Sequence, residues 1–202
     1  MKLKNKTLLS NIRSKLPKIR EESSDFDLDP DYSNHLHEVF TPAAVLIPIT
    51  EKDNILHVTM TRRSSNLKNH PSQISFPGGK RDKIDRSLFN TALREAEEEI
   101  GLPSEQVKLL GCLPDHKTVT GFKIKPYLGL VITRFEPKLN HDEVEELFTV
   151  PLDHLLNLSN FSVESREWRN AKRFYYTIPY GPHYIWGATA RIIRSLAEIL
   201  RT

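Results

Sequence analysis

Cysteine is almost absent: Cys112 stands alone in 202 residues, which excludes an internal disulfide and suits a reducing compartment. No apolar run approaches the roughly 20 residues of a membrane span. The basic opening MKLKNKTLLSNIRSKL has no apolar stretch of signal-peptide length. Blocks of consecutive Lys and Arg that could track phosphates are missing too, and a formal net charge of +3 is mild. Charge therefore gives no ground for nucleic-acid binding. Internal repeats and low-complexity tracts are lacking as well. What remains is the expectation of a soluble, cytoplasmic protein with no membrane and no nucleic-acid partner. Its length suits one domain with a proper core, and its 13 prolines argue for many turns rather than a long helical bundle.

The chain reads as two unequal parts. Leu8, Leu9, Ile12, Leu16 and Ile19 recur at helical spacing, interrupted by Pro17, and the acidic, turn-forming EESSDFDLDPDYSN follows. This predicts a helical arm and linker over 1–34, able to pack on the domain or on a partner, ahead of a domain over 35–202. Within the domain, AAVLIPI, ILHVTMT, QVKLLGCL, KIKPYLGLVIT and RFYYTIPY read as strands, with a turn signal at EKDN. A loop rich in Ser, Asn, Pro and Gly runs from Ser64 to Gly79. DEVEELFTVPLDHLLNL reads as a strand end entering a short helix. GATARIIRSLAEIL closes the chain as an amphipathic helix, with Ile192, Ile193, Leu196, Ile199 and Leu200 as its core stripe. Strands interleaved with two or three helices predict a mixed α/β domain.

The stretch REAEEEIGL, residues 94–102, raises the functional question. On a helix over 88–100, at roughly 100° per residue, Glu98 and Glu99 each fall within about 60° of Glu95, so the three share one face. Phe89, Leu93, Ala96 and Ile100 form a separate buried stripe, and Glu97 points elsewhere, toward solvent. Gly101 suits the helix C-terminal cap and Pro103 prevents continuation. A charged helix end can be simply a solvated face. Like charges at these spacings repel, however, and carboxylates sit badly at the negative end of the helix dipole. Clustered oxygens of this kind are what a hard divalent cation needs. Arg94 lies off that face, where its planar fork can brace a carboxylate from the side. Upstream, FPGGK at 76–80 offers two glycines where backbone can approach a ligand, with carbonyls for a metal and amides for phosphate oxygens.

These residues resemble the signature of the Nudix hydrolases, G-x5-E-x7-R-E-U-x-E-E-x-G-U, with U a bulky aliphatic residue. REAEEEIGL fills the last nine positions, with Ala96 small at the first U. Counted back from Arg94, Arg86 stands at the glutamate position, Asp85 lies one step earlier, and Gly79 lies one residue further from the helix. The segment TRRSSNLKNHPSQISFPGG, residues 61–79, is similar to the extra motif of the coenzyme A pyrophosphatase branch, roughly L-L-T-x-R-S-x3-R-x3-G-x3-F-P-G-G. Thr61, Arg63, Ser64 and Phe76 to Gly79 match it. Thr59 and Met60 replace its leucines, Lys68 its second arginine and Ser72 its glycine. TVTGFKIKPYLGLV and YIWGATARII also look like this branch, so the resemblance spans about residues 36–196.

The resemblance implies an α/β/α sandwich with a central mixed sheet. It also implies hydrolysis of the diphosphate in coenzyme A or its derivatives to 3′,5′-ADP and 4′-phosphopantetheine. A diphosphate repels a nucleophile, so Mg²⁺ or Mn²⁺ is expected to neutralise charge and position water. Glu95, Glu98 and Glu99 are the expected metal ligands with the Gly79 carbonyl, and Arg94 is expected to orient a ligand carboxylate. The general base stays open among Glu98, Glu143 and Glu146 of the later HDEVEELF. Arg63, Lys68, Gly78 and Gly79 are the expected substrate contacts. His70 receives no role, and Trp186 and Phe122 read as core or interface aromatics. Two alternatives remain: another substrate, such as NADH, ADP-ribose or a nucleoside triphosphate, or a non-catalytic module binding nucleotide or RNA. The latter would want a basic, aromatic stripe, and RNAKRFYY at 169–176 reads more simply as a strand with a charged lead-in. Self-association is common in the family, so a homodimer is expected.

Overall fold

The computed structural model describes residues 2–18, 21–29, 39–168 and 171–201. The expected boundary at 34/35, Ile19, most of the end of the linker, and Arg169 and Asn170 of the basic lead-in lie outside these residues.

Helix α1 spans Leu3–Lys15, and the two-residue strand β1 spans Ser23–Ser24. Strands β2 (Thr41–Lys52) and β3 (Ile55–Arg63) follow as an antiparallel hairpin. Its two-residue loop, Asp53 and Asn54, has φ of 52° and 62°, the left-handed pair whose twist suits a tight hairpin. Short strands β4 (Ile74–Ser75) and β5 (Gly78–Lys80) lead to helix α2, Leu88–Ile100. After it come β6 (Val107–Cys112), β7 (His116–Lys117), β8 (Phe122–Val131) and β9 (Val144–Pro151). Helix α3 is Leu152–Leu156. Strands β10 (Ser162–Trp168), β11 (Ala171–Tyr180) and β12 (His183–Trp186) precede helix α4, Gly187–Arg201.

Among the described residues β1 to β9 form one nine-stranded mixed sheet, in the order β1-β7-β8-β2-β3-β4, with β5 on β2, β6 on β8 and β9 on β3. The parallel pairs are β1 with β7 and β2 with β8. Strand β2 explains the layering. Successive side chains of a strand point to opposite faces, and here Ala44 and Leu46 join Ala92, Ala96 and Ile100 of α2 in one core. Ile47 and Ile49 join Leu9 and Ile12 of α1, Leu152 and Leu155 of α3, and Ile192, Ile193 and Leu196 of α4 in the other. Helices therefore cover both faces, an α/β/α arrangement. The amino-terminal helix packs on the domain: Leu9, Ile12 and Leu16 are buried, and Asn5 Nδ2 donates to Glu51 Oε1 at 2.7 Å.

Strands β10, β11 and β12 form a separate antiparallel meander. It is pinned to the large sheet at α4, where Thr189 Oγ1 donates to the Ile74 carbonyl at 3.0 Å, and through buried Ile178 and Ile185. The segment 23–29 stitches the parts together with three aspartates. Asp25 accepts from the Val119 amide at 2.9 Å and pairs with buried His116 at 3.1 Å. Asp27 pairs with Arg191 at 2.6 Å, and Asp29 with Arg173 at 3.2 Å.

Candidate active site

Helix α2 begins at Ser87, whose hydroxyl accepts from the Asn90 amide at 3.1 Å, satisfying an orphan donor of the first turn. It ends at Gly101, left-handed at φ 69°, where the Gly101 amide returns to the Glu97 carbonyl and the Leu102 amide to Ala96, as a glycine cap does. The next carbonyls are also capped, that of Glu99 by the Asn140 amide at 3.0 Å and that of Ile100 by Lys138 at 3.1 Å. Capping thus draws the loop 138–143, and Glu143 with it, to the helix end.

The acids of α2 divide into two groups. Glu99 is 3% exposed and accepts from the Gly78 amide at 3.3 Å. Burial first, then the charges of Glu95 and Glu143, pushes its carboxyl up to about 8, against the pull of Arg63 and the Gly78 amide. Burial likewise raises Glu95, with Glu98 and Glu143 adding to it and Arg94 opposing. The Glu95 carboxylate lies flat against Gly79: a Cβ there would stand 2.5 Å from its Cδ and Oε1. Glu98 is turned away, its Oε2 2.8 Å from Arg94 Nη1 and its side chain 54% exposed. Glu95 and Glu99 thus both feel the charge of Glu143, whereas Glu98, turned to Arg94 and solvent, bears on Glu95.

Arg94 spreads over four acceptors. Its Nε and Nη2 reach both oxygens of Asp85 at 3.0 and 3.1 Å. Nη1 holds Glu98, and Nη2 also meets Glu95 at 2.9 Å and the Lys80 carbonyl at 3.3 Å. Asp85, 6% exposed, accepts further from Thr91 Oγ1 at 2.9 Å and the Asp82 amide at 2.8 Å. Arg94 foremost lowers its carboxyl to about 2. Asp85 is the residue that counting back from the helix underrates. Counted forward from Gly79, it is the sixth residue on, where the signature has its glutamate, and the extra residue falls between it and Arg94.

On β9, Glu146 sits opposite Arg62 and pairs with it, its other oxygen 3.8 Å from His183. A bulge separates the register of Arg62 from that of Arg63, which faces Val144. Such a bulge re-aims a side chain: Arg62 goes to Glu146, whereas Arg63 lines the cavity, its buried Nε without a hydrogen-bond partner among the described residues. That cavity, about 680 Å³, opens beside the acids and is walled by Arg63, Gly78, Gly79, Lys80, Phe122 and Trp186 among others. Lys68 is exposed on its loop and does not line the cavity, whereas His70 does. Phe122 and Trp186, read from the sequence as core or interface aromatics, are cavity wall.

No three His, Cys, Asp or Glu side chains among the described residues are disposed to hold one metal ion. The donor chemistry nonetheless fits a hard cation. A buried carboxylate, Glu99, and a half-buried one, Glu95, are held at a glycine loop, and the one arginine that pairs with Glu95, Arg94, is shared with Asp85 and Glu98. For Glu98 to join them, it must leave Arg94.

Residues 40–172 match the family model described as NUDIX domain. A Pectobacterium atrosepticum protein, "Uncharacterized Nudix hydrolase NudL", is 45% identical over 161 residues, covering 77% of this chain and 80% of its own length. The protein of that name from Yersinia enterocolitica is 42% identical over 156 residues, covering 77% and 80%. Among solved structures, the M. smegmatis Nudix hydrolase RenU is 20% identical with a TM-score of 0.48, over 58% of this chain and 74% of its own.

Proposed function

The chain belongs to the Nudix hydrolase family, an enzyme acting on a nucleoside diphosphate derivative, and from that premise we propose that its substrate is coenzyme A or a coenzyme A derivative. One observation carries the reading. Arg63 and the Gly78–Gly79 loop wall a single cavity, the same loop lies against Glu99 and Glu95, and Arg63 and the glycines belong to the segment resembling the coenzyme A motif. Water adds to one phosphorus while that phosphorus loses its bond to the bridging oxygen. 3′,5′-ADP and 4′-phosphopantetheine leave, the latter in acyl form when the substrate is acylated.

Mg²⁺ or Mn²⁺, held by Glu95 and Glu99 with Glu98 and the Gly79 carbonyl, would supply charge neutralisation and water activation. The chain's own residues do the rest. Arg63 holds diphosphate oxygens, its fork matching them. Arg94, fixed by Asp85, keeps Glu95 against Gly79. Glu143 takes the proton of the attacking water, since both Glu95 and Glu99 feel its charge whereas Glu146 is engaged by Arg62. A cytoplasmic setting and a homodimer belong to the same reading, the dimer being tested by sedimentation.

The test is a product assay on coenzyme A, NADH, ADP-ribose and a nucleoside triphosphate, with Mg²⁺, Mn²⁺ or chelator, alongside Glu99→Gln. The expected result is metal-dependent 3′,5′-ADP and phosphopantetheine, abolished in the variant. Preferential cleavage of another diphosphate refutes the substrate, and nucleotide binding without any cleavage refutes the chemistry.

A further inference from the structure

The meander β10–β12 takes no part in the chemistry above, yet it walls the same cavity. Register sets which of its side chains share a face. Arg166 lies opposite Arg173, and Thr177 opposite Trp186. Side chains alternate along each strand, so Arg166, Arg173, Tyr175 and Trp186 lie on one face, and all four line the cavity.

A charge count separates the arginines there. Among the described residues four of them line the cavity: Arg63, Arg166, Arg173 and Arg191. Asp29 neutralises Arg173 and Asp27 neutralises Arg191. Arg63 and Arg166 have no carboxylate within ion-pair reach among the described residues. Arg63 stands beside Glu99 and is assigned to the diphosphate. Arg166 stands on the second sheet with its guanidinium 4.4 Å from the Trp186 ring, and Trp186 is itself braced edge-on by Tyr175 at 5.2 Å and 62°. The nearest acid on that face, Glu164, is engaged by the Tyr184 hydroxyl at 2.6 Å and by Thr177 and does not line the cavity.

An arginine stacked on an aromatic ring keeps its in-plane donors free and its side chain ordered, so little freedom is lost when an anion arrives. From this we propose that Arg166, held on Trp186, binds a second phosphate of the substrate, a phosphomonoester on the nucleoside apart from the diphosphate that is cut. The inference rests on the proposed reaction and adds a selectivity to it: Arg166 distinguishes a nucleoside bearing a ribose phosphate from one without it. Trp186 acts through Arg166 as a positioning residue.

The experiment compares hydrolysis of coenzyme A and 3′-dephospho-coenzyme A by the full chain, with Mg²⁺, for wild type, Arg166→Ala and Arg166→Lys. One charged hydrogen-bonded contact corresponds to a factor of about ten to a hundred. Arg166→Ala is expected to lower kcat/KM for coenzyme A by that factor, through KM, and by at least tenfold more than for the dephospho form. Arg166→Lys recovers part of the loss, its charge without its fork. Equal losses on both substrates, or none on either, overturn the proposal. Calorimetric binding of adenosine 3′,5′-bisphosphate against 5′-AMP reads the subsite without hydrolysis. A wild-type preference for the bisphosphate that disappears in Arg166→Ala upholds the subsite even if coenzyme A is not cleaved, an outcome that sinks only the proposed substrate. Equal binding of the two by wild type overturns the subsite whatever the chain hydrolyses.

Discussion

Gly78 and Gly79 are neighbours in one short strand, and a methyl group added to each meets opposite kinds of obstacle. At Gly78 the new Cβ would stand 2.4 Å from the Ala44 carbonyl oxygen and 2.6 Å from the Val45 Cα. Both are backbone of the central strand β2, which cannot yield without moving the sheet. At Gly79 the three nearest atoms, at 2.5 to 2.6 Å, all belong to the Glu95 carboxyl, the far end of a flexible side chain that can rotate away at the cost of its contact with Arg94. Gly78→Ala is therefore expected to cost stability, about 1 to 3 kcal/mol as for overpacking, or roughly 2 to 10 °C in Tm for a chain of this size. Gly79→Ala is expected to melt within about 4 °C of wild type, because relief requires only a rotamer change of order 1 kcal/mol. Its activity should nonetheless fall by about a hundredfold, the effect of misplacing a reacting group by an ångström. The assay is thermal unfolding beside steady-state kinetics on both variants. Gly79→Ala with wild-type kcat would show that Glu95 has no work to do against the loop. Gly79→Ala as unstable as Gly78→Ala would show that the obstacle there is not a yielding side chain.

Three other outcomes follow from the same geometry. The Asp85 carboxyl falls from 3.8 unfolded to about 2 folded, so its pairing with Arg94 stabilises the fold above pH 4 and is lost as pH drops from about 4 to about 2. With solvent screening allowed for, the contribution is about 1 to 2 kcal/mol, and Asp85→Asn should show a Tm deficit at neutral pH that narrows over that window; a deficit constant with pH would contradict it. Glu143→Gln should lower kcat by about 10²- to 10⁴-fold, the range for a general base, whereas Glu146→Gln stays within a few-fold; reversed effects in a side-by-side kinetic comparison would exchange the two roles. Mg²⁺ at a hundred times its Kd should raise Tm by about 5 to 10 °C in wild type, and a titration by differential scanning fluorimetry should find that rise largely gone in Glu99→Gln; an undiminished rise would place the ion elsewhere.

Which of these residues a sequence reader finds depends on the range of the interaction that places them. Helix α2 was legible end to end, Leu88 to Ile100, because its stripe, its glycine cap and the following proline are local signals. The centre of β2 was legible as the apolar run AAVLIPI, while its ends at Thr41 and Lys52 and the sorting of Ala44 and Leu46 from Ile47 and Ile49 came with the structure. The strand β10, SVESREW, was not, since its described side chains through Glu167 are exposed and no apolar alternation marks it; pairing with β11 makes it a strand. Asp85 escaped because a one-residue shift in a loop leaves two ways to count, and only its contact with Arg94 decides between them. Charge alone does not tell where Glu143 and Glu146, or Arg63 and Lys68, part ways. A bulge in the β3–β9 register sends Arg62 to Glu146 and leaves Arg63 to the cavity, while two backbone caps bring Glu143 to the end of α2. The acids of a helix can thus be read as a group from their spacing, but which of them lie against the glycine loop, and which other charged residues come near them, is set by strand register and helix capping, and those are properties of pairs of segments.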